Sequence, residues 1–295
     1  MSLVKALHKR LGVPRGAVRP LVVAARVVTN PVEYKRRRAT AAQIAAGPVP
    51  EMEVPVADGH RRFGPGAVPG AGAVVDSCRA IYERARRERS PESMMPSVRK
   101  TFLVPILEES DAAQHPELIR FMVSRPVLDV ASRYLCTVPV LASAHLYWSP
   151  PNEFVGSSQS FHVDYEDTTQ LKVFVNILET RADQGPLTYL PAAKSDLVTQ
   201  RLGQRERRFS DEEVRRASGG EPQIEVVGPP GSGTFLDTSR CLHFGSRANR
   251  RDRVVLMFQF LRPQSAYRPL SGLRLRRPPA GLSLDPAQRL ALRQR

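Results

Sequence analysis

The sequence predicts a mainly β protein with a helical N-terminal part (α+β), and a double-stranded β-helix of the jelly-roll or cupin-like kind as its core. Two observations predict this class. After residue 138, eight short β-rich runs follow one another, and each is bounded by Gly, Pro, Asp or Ser. Before residue 138, helical patterns alternate with irregular stretches rich in Gly and Pro. A series of short strands without intervening long helices is typical of a jelly roll.

The same patterns divide the chain into four segments. We expect a basic, partly helical segment at 1–46, a connector with supporting helices at 47–137, a catalytic β-helix core at 138–262, and a basic tail at 263–295. Leucines at four-residue spacing predict a short basic amphipathic helix at 3–11. Residues 47–71 predict an irregular connector, and residues 72–89 and 110–135 predict helices, the second with a break near Pro126.

The eight candidate strands lie within the predicted core. Between the fourth and fifth strands, a polar insert at 195–220 interrupts the pattern, and its residues near 211–217 predict a helix. The predicted strands are 139–148, 159–164, 171–178, 187–190, 223–227, 233–237, 240–245 and 253–261.

The charge lies at the two ends of the chain. The formal net charge is +15, of which residues 1–38 carry +9 (ten basic, one acidic) and residues 262–295 carry +7 (eight basic, one acidic), which leaves −1 for the rest. A nucleic-acid reader more often carries its charge on the folded surface, so nucleic acid is not an expected partner. We expect the basic N-terminal helix to dock on its own domain, with peripheral contact between that segment and an anionic membrane surface as the alternative.

Cysteine use and hydropathy indicate where the protein acts. Three cysteines, far apart and odd in number, suggest neither a disulfide framework nor a CxxC metal site. The most apolar N-terminal run, residues 21–28, is interrupted by Arg26 and is shorter than the roughly 20 residues that span a bilayer. We therefore expect a cytoplasmic protein, peripheral to a membrane if the N-terminal segment binds lipid.

Three side chains form a candidate metal site. His162 and Asp164 are two residues apart on a predicted strand, so both point to one face. His243 lies on a later strand, again just before a turn. Two imidazoles and one carboxylate on one face of a metal leave the other coordination positions open, which is the arrangement of non-haem Fe(II) oxygenases. The simpler alternative is a hydrogen-bonded His–Asp pair without a metal.

Arg253 extends this constellation. It opens the last predicted strand, ten residues after His243, and a hairpin between these strands brings it near the metal. A fixed guanidinium binds a carboxylate through two parallel hydrogen bonds. We expect 2-oxoglutarate to chelate the iron with its keto acid end and to present its distal carboxylate to Arg253. The alternative is a surface charge among the neighbouring arginines.

From these positions onward the chain resembles the phytanoyl-CoA dioxygenase (PhyH-like) family of Fe(II)/2-oxoglutarate-dependent oxygenases, over residues 139–262. The family pattern runs from an HxD pair through an acidic-Asn-Gly-Pro-Leu turn, a Pro-Gly-Ser-His segment and a Gly-led strand to the distal His, an Asn and the cosubstrate Arg. This chain departs from it in the turn, where Gln184 replaces Asn, and in the segment Pro191-Ala192-Ala193-Lys194. The matching residues are His162 and Asp164, Asp183 to Leu187, Gly233 to Asp237, His243, Asn249 and Arg253.

The resemblance implies a dioxygenase that uses Fe(II), 2-oxoglutarate and O2 and releases succinate and CO2. It implies hydroxylation of a small molecule or of a carrier-, lipid- or sugar-linked substrate, with desaturation or a related oxidation as the alternative. Halogenation is disfavoured, because Asp164 is retained where halogenating relatives have Ala or Gly. Ser246 is a candidate hydrogen-bond donor to the cosubstrate, with capping of its turn as the alternative. The substrate and the oligomeric state cannot be inferred from the sequence.

Four further residues are candidate substrate contacts: Tyr147 on the first strand, Tyr165 after the ligand pair, and Lys172 with Asn176 on one face of the next strand. For each, the alternative is an ordinary packing or hydrogen-bonding role. Two other functions remain open at this point. One is a jelly-roll binding protein without catalysis, and the other is a zinc-dependent hydrolase that uses the same three ligands.

Overall fold

Antiparallel strands and packed helices make up the described part of the chain. The computed structural model describes residues 15–88, 102–153, 157–203, 207–220, 222–265 and 282–293. The helix predicted at 3–11 lies outside these residues, as does most of the basic C-terminal tail.

The helices are α1 (Arg15–Thr29), α2 (Pro31–Ala46), α3 (Ala71–Glu88), α4 (Glu109–Gln114), α5 (Pro116–Met122), α6 (Arg125–Leu135), α7 (Ala192–Leu202), α8 (Asp211–Ser218) and α9 (Pro286–Ala291). The strands are β1 (His60–Phe63), β2 (Val104–Pro105), β3 (Val140–Ser149), β4 (Leu171–Asn176), β5 (Thr188–Tyr189), β6 (Ile224–Glu225), β7 (Gly233–Leu236), β8 (His243–Phe244) and β9 (Arg253–Leu261).

The strands form two antiparallel sheets. The larger has the order β1-β7-β4-β9-β3-β2, and the smaller has the order β6-β5-β8. Hydrogen-bonded neighbours in a sheet come from distant parts of the chain, as β3 and β9 do. This arrangement confirms the predicted α+β class with a jelly-roll core.

Alternation along the central strands separates the apolar core from the interior of the barrel. On β4, Leu171, Val173 and Val175 belong to the main apolar cluster, which also contains the buried faces of α3, α5 and α6. Since successive side chains of a strand point to opposite faces, Lys172 and Asn176 face the barrel interior. The same alternation on β3 and β9 turns His145, Tyr147 and Ser149, and Arg253, Val255 and Met257, inward.

Several predicted strands are shorter in the structure. The run 159–164 forms a 3-10 turn at Ser157–Gln159 followed by single bridges, Phe161 to Phe209 and His162 to His243. The runs 187–190, 223–227 and 240–245 each keep two strand residues. The small sheet is held at a few points because its segments leave it to build turns around the barrel mouth.

Two of the predicted helices are confirmed, and a third is divided into shorter helices. The helices at 72–89 and 211–217 are confirmed as α3 and α8. The predicted helix 110–135 is three helices, with breaks before Pro116 and Pro126, because proline fits the first turn of a helix and not its interior. Helix α7 inside the insert and strand β1 inside the irregular connector were not predicted. The division into four segments stays a prediction.

The basic ends pack against the body where the structure describes them. Arg37 of α2 is 1% exposed. Its guanidinium donates to the carbonyl oxygens of Val138 (3.0 Å) and Leu290 (2.9 Å) and pairs with Glu33 at 2.8 Å. Burial lowers the pKa of Arg37. One buried arginine therefore ties α2, the entry to β3 and helix α9 together.

Helices α1 and α2 also present an apolar surface. Leu21, Val28 and Val32 are 72%, 77% and 79% exposed, and the side chains of Lys35 and Arg36 are exposed beside them. None of the described helices is both long enough and apolar enough to cross a membrane.

Candidate metal centre

A single antiparallel bridge brings the two predicted histidine ligands together. The backbone N–H of His162 donates to the carbonyl of His243 at 3.1 Å, and the N–H of His243 donates back at 3.0 Å. The ring centroids of the two imidazoles are 4.4 Å apart. Asp164 follows His162 on the same face, and its N–H donates to the Thr238 carbonyl at 2.8 Å. Backbone hydrogen bonds thus position all three side chains.

The ligand atoms of this set converge. One atom from each of His162, Asp164 and His243 lies within 4.8 Å of the others. The Nε2 of His162 is 3.9 Å from Asp164 Oδ1, and the Nε2 of His243 is 3.6 Å from Asp164 Oδ2. The three side chains are 12%, 16% and 8% exposed, so the group is secluded and still open on one side. This geometry is that of a metal site with two nitrogen ligands and one oxygen ligand.

Hydrogen bonds fix the tautomers of both imidazoles. His162 Nδ1 lies 2.9 Å from the Ser160 carbonyl, and His243 Nδ1 lies 2.9 Å from the Cys241 carbonyl. A carbonyl oxygen only accepts, so each Nδ1 carries the proton and donates it. Each Nε2 therefore directs a lone pair toward the carboxylate, which is the form of histidine that binds a metal.

Burial and charge set the protonation of the group. Burial and the neighbouring His243 lower the pKa of His162 to about 3, and burial lowers the pKa of His243 as well. Burial alone raises the pKa of Asp164, but the Lys172 ammonium and the imidazoles outweigh burial and hold that pKa well below its usual range. At neutral pH the site thus holds two neutral imidazoles and one carboxylate.

Lys172 points into the same site from β4. Its Nζ is 2.6 Å from Asp164 Oδ2, and its side chain is 12% exposed. Despite the cost of burial, Asp164 and Glu166 raise the pKa of Lys172. The predicted substrate contact is therefore bonded to a candidate metal ligand.

Arg253 lies inside the barrel beside the distal ligand strand. It is 6% exposed, and its Nη1 donates to Ser246 Oγ at 3.4 Å. Within the described part of the chain its Nε has no hydrogen-bond partner and its guanidinium forms no ion pair. Burial without a compensating charge lowers the pKa of Arg253 to about 10. A buried, unneutralised cation next to the ligand set is a site for an anion.

The turn at Gly185 supports this end of the site. Gly185 has φ +60°, and a Cβ at this position would lie 1.9 Å from Asn249 Oδ1. Asn249 Nδ2 donates to the Ser149 carbonyl at 3.3 Å, and the Ser246 N–H donates to the Gly185 carbonyl at 3.1 Å. Two family-like positions, Gly185 and Asn249, thus hold the loop that carries Ser246.

The remaining predicted substrate contacts lie in different surroundings. Tyr147 faces the interior and stacks on His145, with ring centroids 4.9 Å apart and planes 12° apart. Asn176 also faces inward, but its Nδ2 donates to Ser232 Oγ at 3.2 Å within the barrel wall. The structure does not bring Tyr165 to the ligand set. Its side chain packs against the apolar cluster of Phe161 and Val163, because odd positions face away from His162 and Asp164.

Sequence reasoning missed Ser149. Its hydroxyl is hydrogen-bonded to Ser246, and its backbone carbonyl accepts from Asn249. The available signal was alternation, because Ser149 lies two residues after Tyr147 and directly opposite Arg253 in the register of β3 and β9.

Fold and geometry together define a class: a double-stranded β-helix with a two-histidine, one-carboxylate set in its interior. No protein-family model matches the sequence, and no curated protein is similar to it. Among solved structures, EctD from S. alaskensis with bound Fe has a TM-score of 0.50 at 16% identity, over 78% of this chain and 84% of that one. This likeness shows the fold.

Other solved structures resemble the chain with lower scores. The epimerase SnoN, in complex with Fe3+, alpha ketoglutarate and nogalamycin RO, has a TM-score of 0.48 at 17% identity, over 87% of this chain and 94% of that one. SnoK, a non-heme alpha ketoglutarate dependent carbocyclase from nogalamycin biosynthesis, has a TM-score of 0.48 at 14% identity, over 81% and 98% of the two chains.

Proposed function

We propose that this chain is an Fe(II)- and 2-oxoglutarate-dependent dioxygenase that hydroxylates a small molecule or a carrier-, lipid- or sugar-linked substrate. The observation that carries the proposal is the pairing of two features in one barrel. A convergent His162/Asp164/His243 set lies beside a buried arginine, Arg253, that has no counter-ion among the described residues. A metal alone accounts for the first feature, and an anionic cosubstrate accounts for the second.

The residues present fit both groups. Two neutral imidazoles with free Nε2 atoms and one ionised carboxylate are suitable ligands for Fe(II), and they leave positions open for a chelating keto acid. The unpartnered Nε of Arg253 is an orphaned buried donor, and a carboxylate satisfies it. Bound together, iron and 2-oxoglutarate supply the activation of O2, with succinate and CO2 as products.

The chain's own residues bind and orient the metal and the cosubstrate and shield them from water. Ser160 and Cys241 carbonyls hold the two imidazole rings in their ligating tautomer. Arg253 and the Ser246 hydroxyl mark the end of the barrel that receives the distal carboxylate of the cosubstrate. The burial of Arg253, which is 6% exposed, limits the access of water, and this strengthens its electrostatic contacts.

The finer assignment follows the sequence. The HxD pair, the Gly185-Pro186-Leu187 turn, Asn249 and Arg253 resemble the phytanoyl-CoA dioxygenase family. The retained Asp164 favours hydroxylation over halogenation within that resemblance.

Two other functions explain less. A zinc hydrolase uses the same ligands but gives Arg253 no role. A jelly-roll protein without catalysis has no reason to bury a cation that has no counter-ion among the described residues, or to fix two imidazole tautomers toward one carboxylate.

Anaerobic titration with Fe(II) and 2-oxoglutarate tests the proposal. We expect the weak visible charge-transfer band of a metal-bound keto acid, and succinate release that depends on 2-oxoglutarate. His162→Ala should abolish the band, while His115→Ala, at the junction of α4 and α5, should keep it. A normal band in His162→Ala would refute the ligand assignment. Zinc-dependent hydrolysis without succinate release would favour the hydrolase.

A further inference from the structure

An ion pair joins Asp164, a candidate metal ligand, to Lys172, which is not one of the candidate ligands. The Nζ of Lys172 lies 2.6 Å from Asp164 Oδ2, whereas Asp164 Oδ1 is the oxygen next to the His162 imidazole, at 3.9 Å. The two carboxylate oxygens therefore have different neighbours. Both side chains are secluded, at 12% and 16% exposed.

A ligand carboxylate creates a problem for the metal-free protein. Asp164 is surrounded by two neutral imidazoles whose N–H groups point away from it, toward the carbonyls of Ser160 and Cys241. A secluded carboxylate without a counter-charge is costly, and breaking such a pair by removing one partner is strongly destabilising. In the described structure Lys172 supplies the counter-charge.

We propose that Lys172 is the resident counter-cation of Asp164. In the metal-free protein the ammonium holds the ligand carboxylate in place, and when a divalent ion binds, the ammonium and the ion share that carboxylate. The proposal rests on the proposed metal site. In the metal-free protein the ammonium contacts Oδ2, which also lies 3.6 Å from the Nε2 of His243, while Oδ1 faces the Nε2 of His162. Lys172 is a positioning residue in this scheme, since it acts through Asp164 and need not touch the substrate.

The proposal fixes the signs of two effects. Without Lys172 the metal-free protein keeps an uncompensated carboxylate, so it is less stable. A divalent ion then becomes the sole counter-cation, and it no longer binds next to a positive charge. Metal affinity therefore rises when Lys172 is removed. A residue that merely oriented Asp164 would have the opposite effect, because loss of an orienting partner typically weakens metal binding about 10–100-fold.

The first arm measures thermal stability of the full chain in a chelator. We expect Lys172→Met to lower Tm by on the order of 5–10 °C, and Lys172→Arg, which keeps the charge, to recover most of it. In an Asp164→Asn background, Lys172→Met should no longer lower Tm and should raise it, because the substitution then removes a secluded cation that has lost its partner. Lys35→Met, an exposed lysine of α2, is the matched control. An equal loss of Tm in both backgrounds would make Lys172 a packing residue and overturn the proposal.

The second arm measures Mn2+ binding by calorimetry, without cosubstrate or substrate. We expect Lys172→Met to bind Mn2+ on the order of tenfold more tightly than the unmodified chain, and Mn2+ to raise its Tm by more. Weaker or unchanged binding would overturn the counter-cation role. If the unmodified chain binds no Mn2+ at all, the proposed function fails instead, so the two failures are distinguishable.

Discussion

Replacing Arg253 by Met should separate function from stability. Arg253 is buried, its Nε lacks a partner within the described residues, and its position opposite Ser149 places it at the inner end of the barrel. We expect Arg253→Met to lose 2-oxoglutarate binding and at the same time to stabilise the cosubstrate-free protein. The changes in 2-oxoglutarate affinity and in stability have opposite signs, because a buried cation without a counter-ion destabilises the fold and contributes favourably only when an anion is bound to it.

The structure sets the size of both effects. Burial lowers the pKa of Arg253 from 12.5 to about 10, and at about 1.36 kcal/mol per pKa unit the fold disfavours the charged form by about 3 kcal/mol. Because the pKa in the folded state lies below that in the unfolded state, this penalty is fully present at neutral pH and fades only as the pH rises from about 10 toward 12.5. Loss of a buried charge-assisted contact weakens 2-oxoglutarate binding by about 3 kcal/mol, on the order of 100-fold.

Two measurements at neutral pH check this prediction. Calorimetric titration of the Mn2+-loaded protein gives the 2-oxoglutarate affinity, and thermal unfolding without cosubstrate gives the Tm, which should rise by several degrees. Arg250→Met is the matched control, since it removes an exposed arginine three residues away. Unchanged 2-oxoglutarate affinity in Arg253→Met would refute the assignment of the anion site. A falling Tm would refute the claim that the cation is uncompensated.

Two further predictions concern the supporting turn and the N-terminal helices. Gly185→Ala should destabilise the protein by about 3 kcal/mol or more, because the added Cβ lies 1.9 Å from Asn249 Oδ1 at a positive φ. Gly203 also has a positive φ but has open space around it, so Gly203→Ala should destabilise the protein by about 1 kcal/mol. Denaturant unfolding compares the two variants. The exposed apolar residues of α1 and α2 lie beside basic side chains, so we expect salt-sensitive binding to vesicles that contain anionic lipid, and Asn in place of Leu21, Val28 and Val32 should weaken it, as sedimentation with vesicles measures.

Each of these has an outcome that contradicts it. Equal losses of stability at Gly185 and Gly203 would mean that backbone strain, rather than the clash with Asn249, sets the cost. For the vesicles, Asn at Val49 and Val56, which are 65% and 66% exposed elsewhere, provides a control. Equal binding by both sets of variants, or binding that ignores salt and lipid charge, would exclude a membrane-facing role for α1 and α2.

The candidate ligands could be predicted because their signals are local. His162 and Asp164 lie two residues apart, and that spacing puts them on one face whether the segment is a full strand or, as here, a single bridge. The same alternation turns Tyr165 toward the cluster of Phe161 and Val163, and its role as a substrate contact stays a prediction. Helix boundaries at prolines were partly predictable: the break near Pro126 was expected, and that before Pro116 was overlooked.

The pairing of charges could not be predicted in this way. The sequence places Lys172 and Asn176 on one face of a strand, but the bond of Lys172 to Asp164 depends on how β4 passes the 162–164 segment. Similarly, Arg37 belongs to the basic N-terminal segment, and the structure buries it against carbonyls from residues more than a hundred positions away.

By itself, the sequence indicated where most of the strands lie along the chain, that His162 and Asp164 share one face, and what chemistry two imidazoles and a carboxylate can perform. These follow from the two-residue repeat of a strand, which is a property of the local backbone. Only the tertiary structure decided that Arg253 is buried with no counter-ion in the described part of the chain and that Lys172 neutralises Asp164. Burial and ion pairing depend on which distant segments come together, and that choice is made by packing over the whole core.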